Sequence, residues 1–226
     1  VTQHLQREIE SLKKRTLALS AVVEDSVHRA VKAVAERDAK LADGVLNGDR
    51  EIDYLEVEVE EECLKVLALH QPVAIDLRFI IAVLKINNDL ERIGDLASNV
   101  AHRAAALAKL PPVASPFDFD AMAKAVKVML RQSLEALVTL DAGLARRVCA
   151  ADDKVDAINR ELYQKITGLI RARPDDTESL IHYFSVSRNL ERIGDHATNI
   201  AEDVIYMVEG QIVRHGGRNG VEPDDS

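Results

Sequence analysis

The sequence predicts an all-α protein, made of two tandem three-helix bundles related by pseudo-two-fold symmetry. Three observations lead there. Aromatic residues are only 4% of the 226, with no Trp, while Ala, Leu, Val, Glu and Arg abound; that balance favours helix over sheet. Apolar residues recur at three-four spacing along most of the chain, and no stretch alternates as a half-buried strand does. A thirteen-residue segment, Asp89-Leu-Glu-Arg-Ile-Gly-Asp-Leu-Ala-Ser-Asn-Val-Ala101, returns 100 residues later as Asn189-Leu-Glu-Arg-Ile-Gly-Asp-His-Ala-Thr-Asn-Ile-Ala201. A period of about a hundred residues signals a duplicated unit. The expected halves are residues 1–110 and 111–226.

The elements follow in order. Leu5, Ile9, Leu12, Leu19, Val23, Val27, Ala30 and Val34 lie on one face of a long first helix, and the pattern resumes at Leu41, Val45 and Leu46. Asn47-Gly-Asp49 is expected to break it, with Asp49 capping a second helix from about Arg50 to Leu69. That helix has the apolar line Ile52, Leu55, Val59, Cys63 and Val66. His70-Gln-Pro72 is the next break, and Pro72 suits the opening of a third helix from about Val73 to Lys109. Leu110 to Pro116 contains three prolines and reads as a linker. Asp118 is placed to cap a fourth helix, with Met122, Val126, Met129, Leu130, Leu134 and Leu137 inward. Asp152 or Asp153 is expected to start a fifth, ending near Arg171. Arg173-Pro-Asp175 matches the earlier turn, and Asp175 with Glu178 resembles a capping box. The sixth helix is expected to end between Met207 and Val213, with a flexible tail from about 214.

The bulk numbers limit function. Apolar residues at 47% are enough for a sizeable core. A net charge of −9 and a pI near 5.3 argue against a nucleic-acid partner, which needs concentrated positive charge. Cys63 and Cys149 fit no CxxC pattern and read as buried free thiols of a reducing compartment. No signal-peptide pattern is seen, and the longest apolar run, Phe79 to Leu84, is far short of a membrane span. A soluble, cytoplasmic protein without membrane insertion is expected.

The duplicated segment is where chemistry is expected. Glu91, Asp95 and Asn99 are spaced i, i+4, i+8, and so are Glu191, Asp195 and Asn199. Each trio forms one helical stripe of oxygen ligands, opposite Ile93, Ala97 and Val100 in the first copy, which predicts shallow sites on the outer surface. The preceding helix offers a second acidic stripe, Asp49, Asp53, Glu56 and Glu60; its second-half counterparts are Asp152, Asp156, Asn159 and Tyr163. Facing acidic stripes would repel one another without a cation. The first pair, richer in charge, is expected to bind the more tightly. Acids on a polar helix face are ordinarily just solvated. The mid-helix glycines Gly94 and Gly194 argue for more, since each costs about 1 kcal/mol against Ala and suggests close approach of another helix. Arg92 and Arg192 suit ion pairing, either with a neighbouring helix or with Asp95 and Asp195. Either His102 or His196 would suit a borderline metal such as zinc or iron, though a lone helical His is more often a surface residue. The Glu-x-x-His pairs of di-iron enzymes are absent, as are a phosphate loop and a nucleophile with an adjacent base. A di-metal enzyme is therefore the weaker alternative.

With those residues in view, the chain resembles the PhoU family. The matching pieces are Ile52-Asp-x-Leu-Glu56, then Cys63-Leu64 through Leu67-Ala-Leu-x-Gln-Pro-Val-Ala-x-Asp-Leu-Arg78, then Leu90 to Asp95 and Leu190 to Asp195. The resemblance implies multinuclear metal clusters held by paired Glu/Asp-x-x-x-Asp motifs. Iron or zinc would be the metal, with magnesium or manganese as alternatives. Glu91/Asp95 and Glu191/Asp195 match the motif directly; Asp49/Asp53 and Asp152/Asp156 match it from the helix before. Asn159 and Tyr163 depart from the stripe that Glu56 and Glu60 continue. The resemblance also implies a homodimeric, non-enzymatic regulator, cytoplasmic or peripheral to the inner membrane through its partners. It would link the ATPase subunit of a phosphate ABC transporter to a PhoR-type sensor histidine kinase and repress the phosphate-starvation response. Service to a different phosphate transporter is the alternative within the family.

Overall fold

The computed structural model describes residues 3–210. Six helices run in order: α1 (Gln3–Glu36), α2 (Ala39–His70), α3 (Ala74–Leu107), α4 (Phe119–Thr139), α5 (Ala142–Ala172) and α6 (Thr177–Glu209). A single 3-10 turn, Pro174–Asp176, precedes α6. No strand occurs among the described residues. The signature helices α3 and α6 are the central pair, packing on each other more extensively than any other two. On its other sides α3 meets α1 and α2, and α6 meets α4 and α5. Leu90, Ile93, Ala97 and Val100 of α3 and Leu190, Ile193, Ala197 and Ile200 of α6 are buried, so each copy of the signature contributes its apolar face to one continuous core. The expected flexible tail from about 214, and any extension of the last helix to Val213, lie outside the described residues.

Two expected breaks are absent. Asn47, Gly48 and Asp49 lie within an uninterrupted α2, and Asp152 and Asp153 lie within α5. Gly48 weakens a helix by about 1 kcal/mol, but Val45 and Ile52 on either side are 2% exposed, and their burial holds the turn helical. The real breaks come earlier. Arg37 and Leu140 adopt left-handed φ values of 54° and 53°. Asp38 and Asp141 then cap α2 and α5, each accepting from the backbone N–H three residues on, at 3.0 and 2.9 Å. The Arg37 guanidinium offsets its own backbone strain by donating to the carbonyls of Leu107, Leu110 (2.6 Å) and Pro111 (3.4 Å) at the end of α3.

The expected capping box at Asp175 is not formed. Asp176 precedes α6 without a side-chain cap, and the Thr177 hydroxyl donates instead to the Pro174 carbonyl at 2.6 Å. Gly210, at φ 73°, closes α6 in the left-handed conformation that glycine adopts without penalty. Cys63 and Cys149 are both unpaired; Cys63 is buried as expected, Cys149 only half-buried. Burial pushes their thiols up to about 12 and about 11, which leaves both unreactive near neutral pH.

Asp38→Ala and Asp141→Ala are each expected to lower unfolding free energy by about 1 kcal/mol through loss of a cap. Asn47→Ala, exposed in mid-α2, should instead gain a few tenths of a kcal/mol of helix propensity. Urea denaturation of the three variants checks both directions.

Candidate metal centres

The acidic stripes do meet across helix pairs, α2 against α3 and α5 against α6. They are less exposed than their angular position opposite the core residues predicts. Asp49, Glu56, Glu91, Asp95, Asp152, Asp156 and Glu191 are half-buried in the inter-helix grooves, while Asp53, Glu60, Asp195, Asn99 and Asn199 are exposed. Gly94 explains the close seating in the first half. A Cβ on Gly94 would meet Cδ1 and Cγ2 of buried Ile52 at 3.0 Å, tighter than an ordinary contact. A Cβ on Gly194 would lie 3.5 Å from Asp152 Oδ1 and 3.7 Å from both Met129 and Val155. The first glycine is required by the approach of α2; the second leaves room for a methyl group.

In the first half, most of the acids already have partners. Ser98 donates to Asp49 Oδ1 at 2.7 Å, and Asn87 donates to Glu56 Oε1 at 3.0 Å. Arg92 lies 3.4 Å from both Glu91 and Asp95, the intrahelical pairing that its spacing allows. Burial and the charges around them still raise the pKa of Glu91 and of Glu56.

The second half is different. Ligand oxygens of Asp152, Asp156 and Asp195 all fall within 4.8 Å of one another, the one such grouping among the described residues. Burial, then the neighbouring carboxylates Asp156 and Asp195, push Asp152 up to about 6. Asp195 is exposed as a residue, but partial desolvation of its carboxyl, then Glu191 and Asp156, push it to about 6 as well. Glu191 is also raised, by burial and Asp156. Asp152 Oδ1 and Thr198 Oγ1 are both buried without a hydrogen bond of good geometry, and the Thr198 hydroxyl beside Asp152 lowers its pKa by less than burial and the neighbouring carboxylates raise it. A buried carboxylate oxygen with no hydrogen bond of good geometry, beside two further carboxylates, fits a hard or borderline cation, which would remove the repulsion. The half poorer in acids thus gathers them more tightly, the reverse of the order expected from charge count.

The residues missed in the sequence are the hydroxyl and amide partners. Ser98 and Thr198 occupy the same place in the two signature copies, so a hydroxyl stands by the first acid of the preceding helix in both halves. Asn87 and Ser187 are likewise equivalent. Asn87 donates to Glu56, and Ser187 donates to the Asn159 carbonyl oxygen at 3.0 Å. Asn159 therefore keeps the acceptor that Glu56 provides, without its charge. Tyr163 is exposed and its ring lies 6.0 Å from that of Phe184. Asn199 donates across the central seam to Asp89 at 3.2 Å, and His196 Nδ1 lies 2.7 Å from the same oxygen, so both are turned to α3. Among the described residues, Asn99 and His102 are exposed and make no hydrogen bond.

The model of the PhoU domain matches twice, over residues 16–104 and 119–204. The chain belongs to the PhoU family. Both PhoU matches contain one copy of the signature and the acidic stripe before it. A PhoU homologue from Aquifex aeolicus, named as a phosphate-specific transport system accessory protein, is 37% identical over 92% of this chain and 95% of its own length. The crystal structure of PhoU from Pseudomonas aeruginosa superposes with a TM-score of 0.87 at 37% identity, covering 91% of this chain and 99% of that one. The phosphate transport system regulatory protein PhoU from Streptococcus pneumoniae superposes at 0.85 with 28% identity, covering 93% and 100%.

The raised carboxyls set a pH dependence. Between about 4 and about 6 the folded, metal-free protein binds more protons at Asp152 and Asp195 than the unfolded chain does, so stability rises as pH falls through 6. In chelator, the melting temperature should be higher at pH 5.5 than at 7.5, and Asp152→Asn with Asp195→Asn should flatten that difference. Gly94→Ala should destabilise through overpacking of about 1–3 kcal/mol against a helix gain near 1. Gly194→Ala should be neutral or stabilising, and the same melts separate the two.

Proposed function

We propose that the protein is a cation-binding accessory regulator of phosphate uptake and phosphate-responsive signalling, acting by docking and not by catalysis. The observation that carries this reading is the near full-length likeness to the accessory proteins of phosphate-specific transport, signature and stripes included. Its partners would be the ATPase subunit of a phosphate ABC transporter and a PhoR-type sensor histidine kinase, and its effect repression of the starvation response when phosphate is plentiful. No helix among the described residues is long and apolar enough to cross a membrane, so contact with the membrane would be through these partners. The apolar turn between α2 and α3 supports docking: Leu69, Val73 and Ile75 are 67%, 73% and 71% exposed. Apolar side chains gathered at a helix-hairpin tip are a feature of contact surfaces. A homodimer is part of the same proposal.

Asp152, Asp156 and Asp195, with Glu191 beside them, would hold the cation of the second half. Asp49, Asp53, Glu91 and Asp95, extended by Glu56 and Glu60, would hold that of the first. A bound cation supplies charge neutralisation and fixes each helix pair. The chain's own residues do the rest: Ser98 orients Asp49, Asn87 orients Glu56, and Gly94 lets α3 approach α2 closely.

Recovery of partners from phosphate-replete cells tests the docking role. Wild-type protein should bring down a transporter ATPase or a histidine kinase, and Asp95→Ala with Asp195→Ala should recover less of either. Recovery of neither by the wild type would sink the reading. Equal recovery by wild type and variant would separate docking from the acidic clusters.

A further inference from the structure

A second charged site lies away from the acidic grooves, between α1 and α4. There Glu24, Val27 and His28 of α1 face Lys124, Lys127, Leu130 and Arg131 of α4 across a cleft of about 250 Å³. Three fixed cations oppose one carboxylate, in a chain whose net charge is −9. None of Lys124, Lys127, Arg131, His28 or Glu24 has an ion pair or hydrogen bond among the described residues. Some basic residues elsewhere are ion-paired, as in Arg15 with Glu58, Lys85 with Asp203 and Arg146 with Glu209. The α4 cations are spaced i, i+3, i+7, so they share one helix face and extend over about 10 Å. Val27 and Leu130, each 1% exposed, form an apolar wall that strengthens charge interactions beside it.

The cleft sits where the two halves of the duplication meet. The caps Asp38 and Asp141 place equivalent residues of α1 and α4 103 apart. Lys127 and Arg131 are therefore the counterparts of Glu24 and His28. Equivalent positions thus carry opposed chemistry, a cationic wall on α4 facing an acceptor on α1.

We infer that this cleft binds inorganic phosphate in its hydrogen-phosphate form. Lys and Arg supply charge-assisted donors for the deprotonated oxygens. Glu24 is the discriminating group. A carboxylate only accepts hydrogen bonds, so it attracts an oxyanion that still carries a proton and repels one that does not. Near neutral pH inorganic phosphate keeps a P–OH, whereas sulfate has none and a phosphomonoester, with a second pKa of about 6, has mostly lost its own. The volume takes a tetrahedral oxyanion together with several waters of about 30 Å³ each. This deepens the phosphate-system reading by giving the chain its own contact with phosphate, yet its test does not depend on partner recovery. Either can fail while the other stands.

The experiment is calorimetric titration of the full chain with sodium phosphate at pH 7 and fixed ionic strength. Chelator is present so that no anion is held through a cation in the acidic grooves. Saturable binding is expected, with sulfate and glycerol phosphate failing to compete. Lys127→Ala with Arg131→Ala should weaken it at least about tenfold. Glu24→Gln, which keeps the shape, should let sulfate compete. Melting curves confirm that the variants fold. Absence of saturable binding at millimolar phosphate would overturn the inference. So would sulfate or glycerol phosphate binding the wild type as tightly as phosphate, or variants that bind as the wild type does.

Discussion

The approach of each signature helix to the helix before it is the constraint on which the rest depends. At Gly94 the backbone of α3 comes so near α2 that Ile52 already occupies the space a methyl group would need. At Gly194 the nearest atom is Asp152 Oδ1 itself. Helices drawn this close bury their apolar faces in one core, and the same closeness pulls the carboxylates on their flanks out of water. Core packing and raised carboxyl pKa values thus have one cause. In the first half the cost is met by Ser98, Asn87 and Arg92. In the second half Thr198 and Asn159 lower the pKa of Asp152 and Glu191 by less than burial and the neighbouring carboxylates raise them. That difference leaves the second groove with the more tightly gathered carboxylates although it has fewer acids.

The two halves also differ along the central seam. Asp89 of α3 receives both His196 and Asn199 of α6, and Lys85 reaches Asp203 at 2.9 Å. The repeat equivalents of these groups are Asn189, Leu96 and Asn99, then Ser185 and Arg103, none of which reproduces the pairs. The polar contacts across the seam therefore have no counterpart at the equivalent positions of the other repeat. Duplication produced the scaffold, and divergence then assigned its copies different loads. The cleft between α1 and α4 shows the same change, from matched positions to opposed charges.

Much of this was legible in the sequence, for physical reasons. Six helices, the proline linker and the duplication follow from periodicity, because the apolar face of each helix is buried and the pattern is long. The helix starts at Asp38 and Asp141 were missed because Arg37 and Leu140 adopt left-handed backbone without being glycine. In the case of Arg37 a long-range clamp on α3 supports that geometry. Conversely, Asn47-Gly-Asp49 has the chemistry of a break, but the burial of Val45 and Ile52 overrides it. The acids were readable from i, i+4 spacing. Their burial was not, since it depends on how closely a second helix lies. Nor were the roles of Ser98, Thr198, Asn87 and Ser187, which need the register between helices, although a hydroxyl kept at one place in both signature copies was a visible sign.

The central claim is that the groove between α5 and α6 is completed by a cation. Calorimetric titration of the metal-free protein with manganese, zinc and iron(II), beside Asp152→Asn, tests it most directly. Saturable binding by the wild type to at least one of these ions, with its second-half component lost in the variant, is the predicted result. A wild-type protein that binds none of them, or a variant that binds them as well as the wild type does, would contradict it.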